Sequence, residues 1–276
     1  MLQNDPAQAY LTLLKRTLID LIYADNELRI YYLIDCIRNG KKVDPSVLHS
    51  PVERLQSEYE ELVKTKTEGQ FYGEVNNFPH SMIGQKRLDN IQFCAEQIFQ
   101  DGITGDFVET GVWNGGACIF MRGLQNIYNQ RERKVWVCDS FEGLPVPTHH
   151  EDEGIDLSKG NFPMLAISQE AVMRNFSQYG LLDEGVKFLK GWFKDTLPNA
   201  PIEEIALLRL DGDLYESTMD AMKALYHKVP SGGYVIVDDY YAVKGCEKAV
   251  QDYLRENNAK AEIHQIDWTG VYWRKP

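Results

Sequence analysis

The chain has 276 residues, 43% of them hydrophobic, which fits one large α/β domain or one domain with an added helical segment. Its formal net charge of −12 excludes an ordinary nucleic-acid binder, whose phosphate contacts need clustered Lys and Arg. The local basic stretches, Lys41-Lys42 and Arg131 to Lys134, read as solvated loops.

The first hundred residues read as helices. Ala7 to Tyr23 carries Tyr10, Leu11, Leu14, Leu18, Leu21 and Ile22 at helical spacing, and Glu27 to Ile37 continues in that vein. Ser50-Pro51-Val52-Glu53 has a capping-box form that opens a helix to about Lys66. Ser81 is placed to cap another, running to Gln100 and stopped at Gly102. From Asp106 short strands alternate with helices, the signature of a parallel sheet. Strands are expected near 106–110, 134–138, 186–190, 205–211, 233–238, 262–266 and 270–274, with helices near 115–129, 168–179, 215–228 and 244–257. Only a few residues separate the last two strands, so they must form an antiparallel hairpin. Leu144 to Ile167 reads as a long loop of the kind that serves as a lid or binding element.

Cys36, Cys94, Cys118, Cys138 and Cys246 form no Cys-x-x-Cys pair, so neither a zinc site nor a disulfide framework is expected. No signal peptide is visible, and no apolar stretch approaches the ~20 residues needed to span a bilayer. A cytoplasmic protein without membrane or nucleic-acid partners is expected.

In an open α/β sheet ligands bind at the carboxyl ends of the strands. The first strand ends in Glu109-Thr110-Gly111-Val112-Trp113-Asn114-Gly115-Gly116, an acid followed by a glycine turn and a helix. The spacing is not that of a dinucleotide fingerprint, and no Lys-Ser/Thr pair is present for a triphosphate. An acid beside such a turn suits a ligand with a cationic head and no phosphate, and S-adenosylmethionine is one. The second strand ends in Asp139, placed to accept both ribose hydroxyls of an adenosine, and the third is followed by Trp192-Phe193, which could flank a purine. The fourth and fifth end in Asp211-Gly212-Asp213 and Asp238-Asp239. Carboxylates this close would repel by several kcal/mol at an effective dielectric of about 20, so a cation or a shared proton is required. An oxygen-only donor set suits Mg²⁺, which would ease deprotonation of an acceptor hydroxyl.

Taken together these stretches resemble the macrocin O-methyltransferase (TylF-type) family. The likeness runs through Tyr10 to Leu18, Ser81 to Gly84, Glu109 to Gly116, Asp139 to Pro145, Gly191 to Pro198, Leu208 to Thr218 and Gly232 to Tyr240. It implies a class I S-adenosylmethionine-dependent methyltransferase fold with a seven-stranded, mostly parallel sheet over 81–276, and a helical extension over 1–80 that serves as lid, dimer contact or substrate region. It implies Mg²⁺ ligands at Asp211, Asp238 and Asp239, and cofactor contacts at Met82, Glu109, Gly111, Asn114, Asp139, Ser140 and Trp192. The implied activity is methylation of a sugar hydroxyl on a secondary metabolite, by a homodimer or higher homo-oligomer. For the general base Asp213 and Asp211 are the candidates, with His149 or His150 arriving on a closing loop as the alternative.

Other readings stand beside these. Glu109 could cap the following helix, Asp139 could be a turn residue, Asp238-Asp239 a solvated edge, Asp213 a helix-start acid and Trp192-Phe193 core aromatics. Asp211-Gly212-Asp213 also matches the Asp-x-Asp motif of a metal-dependent nucleotide-sugar glycosyltransferase, which would leave Glu109, the glycine turn and Asp139 without a task. A non-catalytic relative of the fold and a catechol-methylating cousin are further alternatives.

Overall fold

The structure, a computed structural model, describes residues 5–70 and 78–276. Five helices open the chain: α1 (Pro6–Leu18), α2 (Ala24–Asn39), α3 (Pro45–His49), α4 (Pro51–Arg54) and α5 (Gln56–Glu68). The Asp5 carboxylate caps α1 by accepting from Ala7 N at 2.9 Å. Left-handed glycines, Gly40 and Gly69, end α2 and α5. The helix expected to reach Tyr23 stops at Leu18, and Asp20 turns the chain with φ 54°. The one expected from Pro51 to Lys66 is two helices, broken at Leu55, and Ser50 makes no side-chain cap.

Helix α6 (Gly84–Gln100) begins two residues later than Ser81 predicts, with Ile83 at the cap position. The reason is tertiary: the backbone N–H groups of His80 and Ser81 both donate to Leu18 O at the end of α1, at 2.8 and 3.0 Å. That tie holds the segment before α6 against the N-terminal helices, and residues 71–77 and 1–4 of the expected 1–80 extension lie outside the described residues.

The rest alternates as expected, with the short helix α9 added: β1 (Asp106–Thr110), α7 (Gly116–Ile127), β2 (Val135–Asp139), α8 (Gln169–Gln178), β3 (Val186–Lys190), α9 (Phe193–Thr196), β4 (Ile205–Leu210), α10 (Tyr215–Leu225), β5 (Tyr234–Val237), α11 (Lys244–Glu256), β6 (His264–Gln265) and β7 (Val271–Arg274). Sheet order is β3-β2-β1-β4-β5-β7-β6, with β7 antiparallel to both of its neighbours and the other pairings parallel. This is the expected class I methyltransferase sheet. Its inner strands are buried on both faces, so they read as continuous apolar runs; all six residues of β4 are buried. On β1, Phe107 faces the core under α1, α6 and α7, and Val108 faces the core under α10 and α11. Leu11, Leu14 and Leu18 of α1 belong to the first of these cores, while α2 and α5 share a small separate one around Leu28 and Leu62. The Leu144 to Ile167 segment is a loop with two short 3-10 turns and an isolated bridge between Leu144 and Ser158. All five cysteines are free and buried. Among the described residues no helix is long and apolar enough to cross a membrane.

Candidate active site

The first residues past β3, β1, β4 and β5 donate their backbone N–H to the neighbouring strand's end. Gly191 N bonds Asp139 O, Gly111 N bonds Cys138 O, Asp211 N bonds Thr110 O and Asp238 N bonds Leu210 O, all at 2.8–2.9 Å. This ladder keeps the carboxyl ends of five strands flush, and the acids that follow them meet over one edge of the sheet. A cavity of about 520 Å³ opens there.

Of the predicted site residues, Met82, Glu109, Gly111, Asp139, Ser140, Trp192, Asp211, Asp213, Asp238 and Asp239 line this cavity. Asn114 is not among its lining; its amide donates to Pro79 O at 3.2 Å and its carbonyl accepts from Asn175, so it holds the segment before α6 against the turn. Neither His149 nor His150 lines the cavity: His149 stacks on Tyr215 with ring centroids 4.1 Å apart, and the His150 side chain is largely exposed.

The glycine turn is set by space. Gly111 has φ 85°, and a Cβ there would fall 1.7 Å from Asp211 O. We expect Gly111→Ala to destabilise the fold by more than the roughly 1–3 kcal/mol of left-handed strain alone, because backbone would have to separate. Thermal unfolding checks this, and a melting temperature equal to wild type would contradict it. The Asp139 carboxylate braces the same turn, accepting from Val112 N at 2.8 Å and from Phe141 N at 2.6 Å. Burial raises its pKa, opposed by those two N–H groups. Ser140 shapes the next turn, its hydroxyl donating to Gly143 O at 2.6 Å. Trp192 opens α9, and Trp113 ties the glycine turn to the 144–167 loop through Met164 O at 3.1 Å.

Two arginines that the strand-end reading missed hold the acids together. Arg209 lies inside β4, fully buried, with Glu109 opposite it in register. Its Nη1 donates to the carboxylates of Glu109 and Asp211, the latter at 2.6 Å, and its Nη2 to Asp238. Arg87 of α6 donates to the other oxygen of Asp238. Arg209 was signalled in the sequence: it is the lone charge in an apolar strand, two residues before Asp211 and so on the same face. Part of the repulsion expected among the acids is therefore relieved by the chain's own guanidinium groups.

The relief is incomplete. Burial pushes Glu109 up to about 7 although Arg209 pulls it down, and its second oxygen accepts from Cys118 Sγ at 2.7 Å. Burial, then repulsion from Asp211 and Asp238, pushes Asp213 up to about 8. Asp239 is held well above the usual carboxylate range by burial and its three acidic neighbours. Asp213 is also strained, with φ 54°. Asp211, Asp238 and Asp239 each offer an oxygen within 4.8 Å of the others, and Asp239 Oδ2 is buried without a hydrogen-bond partner. An orphaned oxygen in an oxygen-only triad fits a hard divalent cation.

Comparison with known proteins agrees with this geometry. The sequence profile of the macrocin-O-methyltransferase (TylF) family matches residues 7–275. The chain is 42% identical over 275 residues to the 8-demethyl-8-(2,3-dimethoxy-alpha-L-rhamnosyl)-tetracenomycin-C 4'-O-methyltransferase of Streptomyces olivaceus, covering 98% of this chain and 94% of that one. It is 42% identical over 272 residues to the mycinamicin III 3''-O-methyltransferase of Micromonospora griseorubida, covering 97% and 96%. Among solved structures, that of the O-methyltransferase NovP superposes with a TM-score of 0.79 at 41% identity, covering 98% of this chain and 99% of that one.

Proposed function

The chain belongs to the macrocin-O-methyltransferase (TylF) family, a family of S-adenosylmethionine-dependent O-methyltransferases, and from that premise we propose that it methylates a sugar hydroxyl of a secondary metabolite with the help of Mg²⁺. One observation carries this reading. The flush strand ends bring a braced glycine turn and an acid triad with an orphaned oxygen to the same cavity. The sugar is argued from a relative named for 4'-O-methylation of a rhamnosyl compound.

S-adenosylmethionine, when bound, supplies a methyl carbon on a sulfonium for in-line displacement by an oxygen nucleophile. The chain's work is binding, alignment and proton movement. Asp139 holds the turn with one lone pair on each oxygen and keeps the others for the ribose hydroxyls. Met82 and Trp192 offer apolar walls to the adenine, and Gly111 admits the cofactor against bare backbone. Glu109 has one lone pair on each oxygen committed to Arg209 and Cys118 and keeps the others for the cationic head of the cofactor. Asp211, Asp238 and Asp239 would hold Mg²⁺, a Lewis acid that lowers the pKa of an acceptor hydroxyl. Asp213, which lines the cavity two residues past Asp211, takes the hydroxyl proton. Gly69 and His80 to Ile83 line one side of the cavity and the 144–167 loop another, so the 1–80 extension and that loop enclose the acceptor against water. The extension is also where a homodimer contact would form.

Asp213→Asn is expected to lower kcat roughly 10²- to 10⁴-fold while the Kd for S-adenosylhomocysteine stays within about threefold. A kcat within a factor of two of wild type would move the base to Asp211. For the reading as a whole, calorimetric titration with S-adenosylmethionine and S-adenosylhomocysteine, with and without Mg²⁺, should give micromolar binding. No detectable binding in either condition would overturn it. No observation favours the nucleotide-sugar reading of Asp211-Gly212-Asp213.

A further inference from the structure

On the reading that Asp211, Asp238 and Asp239 hold a divalent cation, we propose that Arg87 is the positioning residue that sets Asp238 for that cation. Arg87 is in turn held by the N-terminal helical segment, so the cation site is complete only when that segment is docked.

The Arg87 side chain is 5% exposed, and all three of its donor nitrogens are committed to different parts of the chain. Nη1 donates to Asp238 Oδ2, Nε to Asp267 Oδ2 at 3.0 Å, and Nη2 to Gly69 O at 3.1 Å. Asp267 lies in the turn between β6 and β7, where its other oxygen accepts from Thr269 N at 3.0 Å and Gly270 N at 2.8 Å. Thr269 then closes the circuit, its hydroxyl donating to Asp238 O at 2.9 Å. Asp238 is thereby fixed at both its backbone and its carboxylate. A planar guanidinium with three committed nitrogens fixes orientation in a way a point charge cannot.

The third contact reaches outside the sheet domain. Gly69 is the left-handed cap of α5, with φ 67°, and a Cβ there would fall 2.5 Å from Arg87 Nη2 and 2.4 Å from Ile83 O. The preceding carbonyl, Glu68 O, accepts from Trp268 Nε1 at 3.2 Å, so the end of α5 is bound to the same β6–β7 turn. Metal ligands are commonly oriented by such outer partners, and losing one costs roughly 10–100-fold in metal affinity.

Charge and positioning predict opposite signs, which makes the proposal decidable. Deleting a positive charge beside a cation site should tighten cation binding, whereas losing the orientation of a ligand should loosen it. The probe is Mn²⁺, its Kd measured from the electron paramagnetic resonance signal of the free ion, with thermal unfolding of the cation-free protein recorded alongside. We expect Arg87→Met to raise the Mn²⁺ Kd by roughly 10–100-fold. Arg87→Lys, which keeps the charge and loses the fork, should rise nearly as far. Gly69→Ala, which disturbs the end of α5, its contact with Arg87 and its packing on Ile83 O, should move the same way by a smaller factor. Mn²⁺ binding by Arg87→Met that equals or exceeds wild type would overturn the positioning role, as would a wild-type Kd for Arg87→Lys. A wild-type Kd for Gly69→Ala would overturn the link to the N-terminal segment. If Arg87→Met does not fold, Arg87→Lys and Gly69→Ala decide the matter. Absence of Mn²⁺ binding to wild type would sink the cation reading itself, and the role of Arg87 with it.

Discussion

Arg209→Met is expected to lower the free energy of unfolding by about 3–5 kcal/mol, a larger loss than any other polar substitution in the site. Arg209 is fully buried and donates to Glu109, Asp211 and Asp238 together. Removing it strands three carboxylates where burial already raises the pKa of Glu109 and Asp211. Glu109 lies opposite it in register and is 2% exposed, so solvent cannot take over the role of Arg209 there. A second change, Glu109→Gln, should therefore restore part of the stability, because it removes one of the unpaired charges. Denaturant unfolding of wild type, Arg209→Met and the double variant checks this. A single-variant loss below about 1 kcal/mol, or a double variant less stable than the single one, would contradict the assignment of Arg209 as the internal counter-charge.

The second large effect falls on cofactor affinity. Asp139→Ala is expected to weaken S-adenosylhomocysteine binding by about 100-fold or more, since two hydrogen bonds to a charged group are each worth about 1.5–3 kcal/mol. The substitution also frees Val112 N and Phe141 N, so the glycine turn loses its brace as the ribose loses its acceptor. Asp139→Asn separates the two parts: it keeps the shape and one acceptor, and should fall between wild type and Asp139→Ala. Calorimetry supplies both numbers. A Kd for Asp139→Ala within about threefold of wild type would leave Asp139 as a turn residue only.

The sheet half of the fold was legible because parallel strands buried on both faces are short apolar runs. β1 and β3 match their expected limits, and β2, β4, β5 and β7 lie within one residue of theirs; only β6 is much shorter, at two residues. The N-terminal half was less so. Whether Ser81 caps a helix depends on Leu18 O, which is not written locally, and no residue in Pro51 to Lys66 marks the break at Leu55, where the backbone leaves the helix with φ −130° and ψ 49°. The acids of the site were legible from their position past the strands. Arg209 carried a readable signal in its two-residue offset from Asp211. Arg87 carried none, since it meets Asp238 across 151 positions and sits on an ordinary amphipathic helix. Asn114 was drawn in by family likeness alone, and the structure gives it Pro79 to hold rather than a place on the cavity wall.

The central claim is cation-assisted methyl transfer to a sugar hydroxyl. Its most direct test is to incubate the protein with methyl-labelled S-adenosylmethionine and a panel of natural-product glycosides, with Mg²⁺ or with a chelator. The account predicts label in a sugar methyl ether with Mg²⁺ present, and loss of that product in chelator, restored by adding Mg²⁺ back. Undiminished transfer in chelator would contradict the role given to Asp211, Asp238 and Asp239. Label appearing on a non-sugar position would contradict the acceptor class.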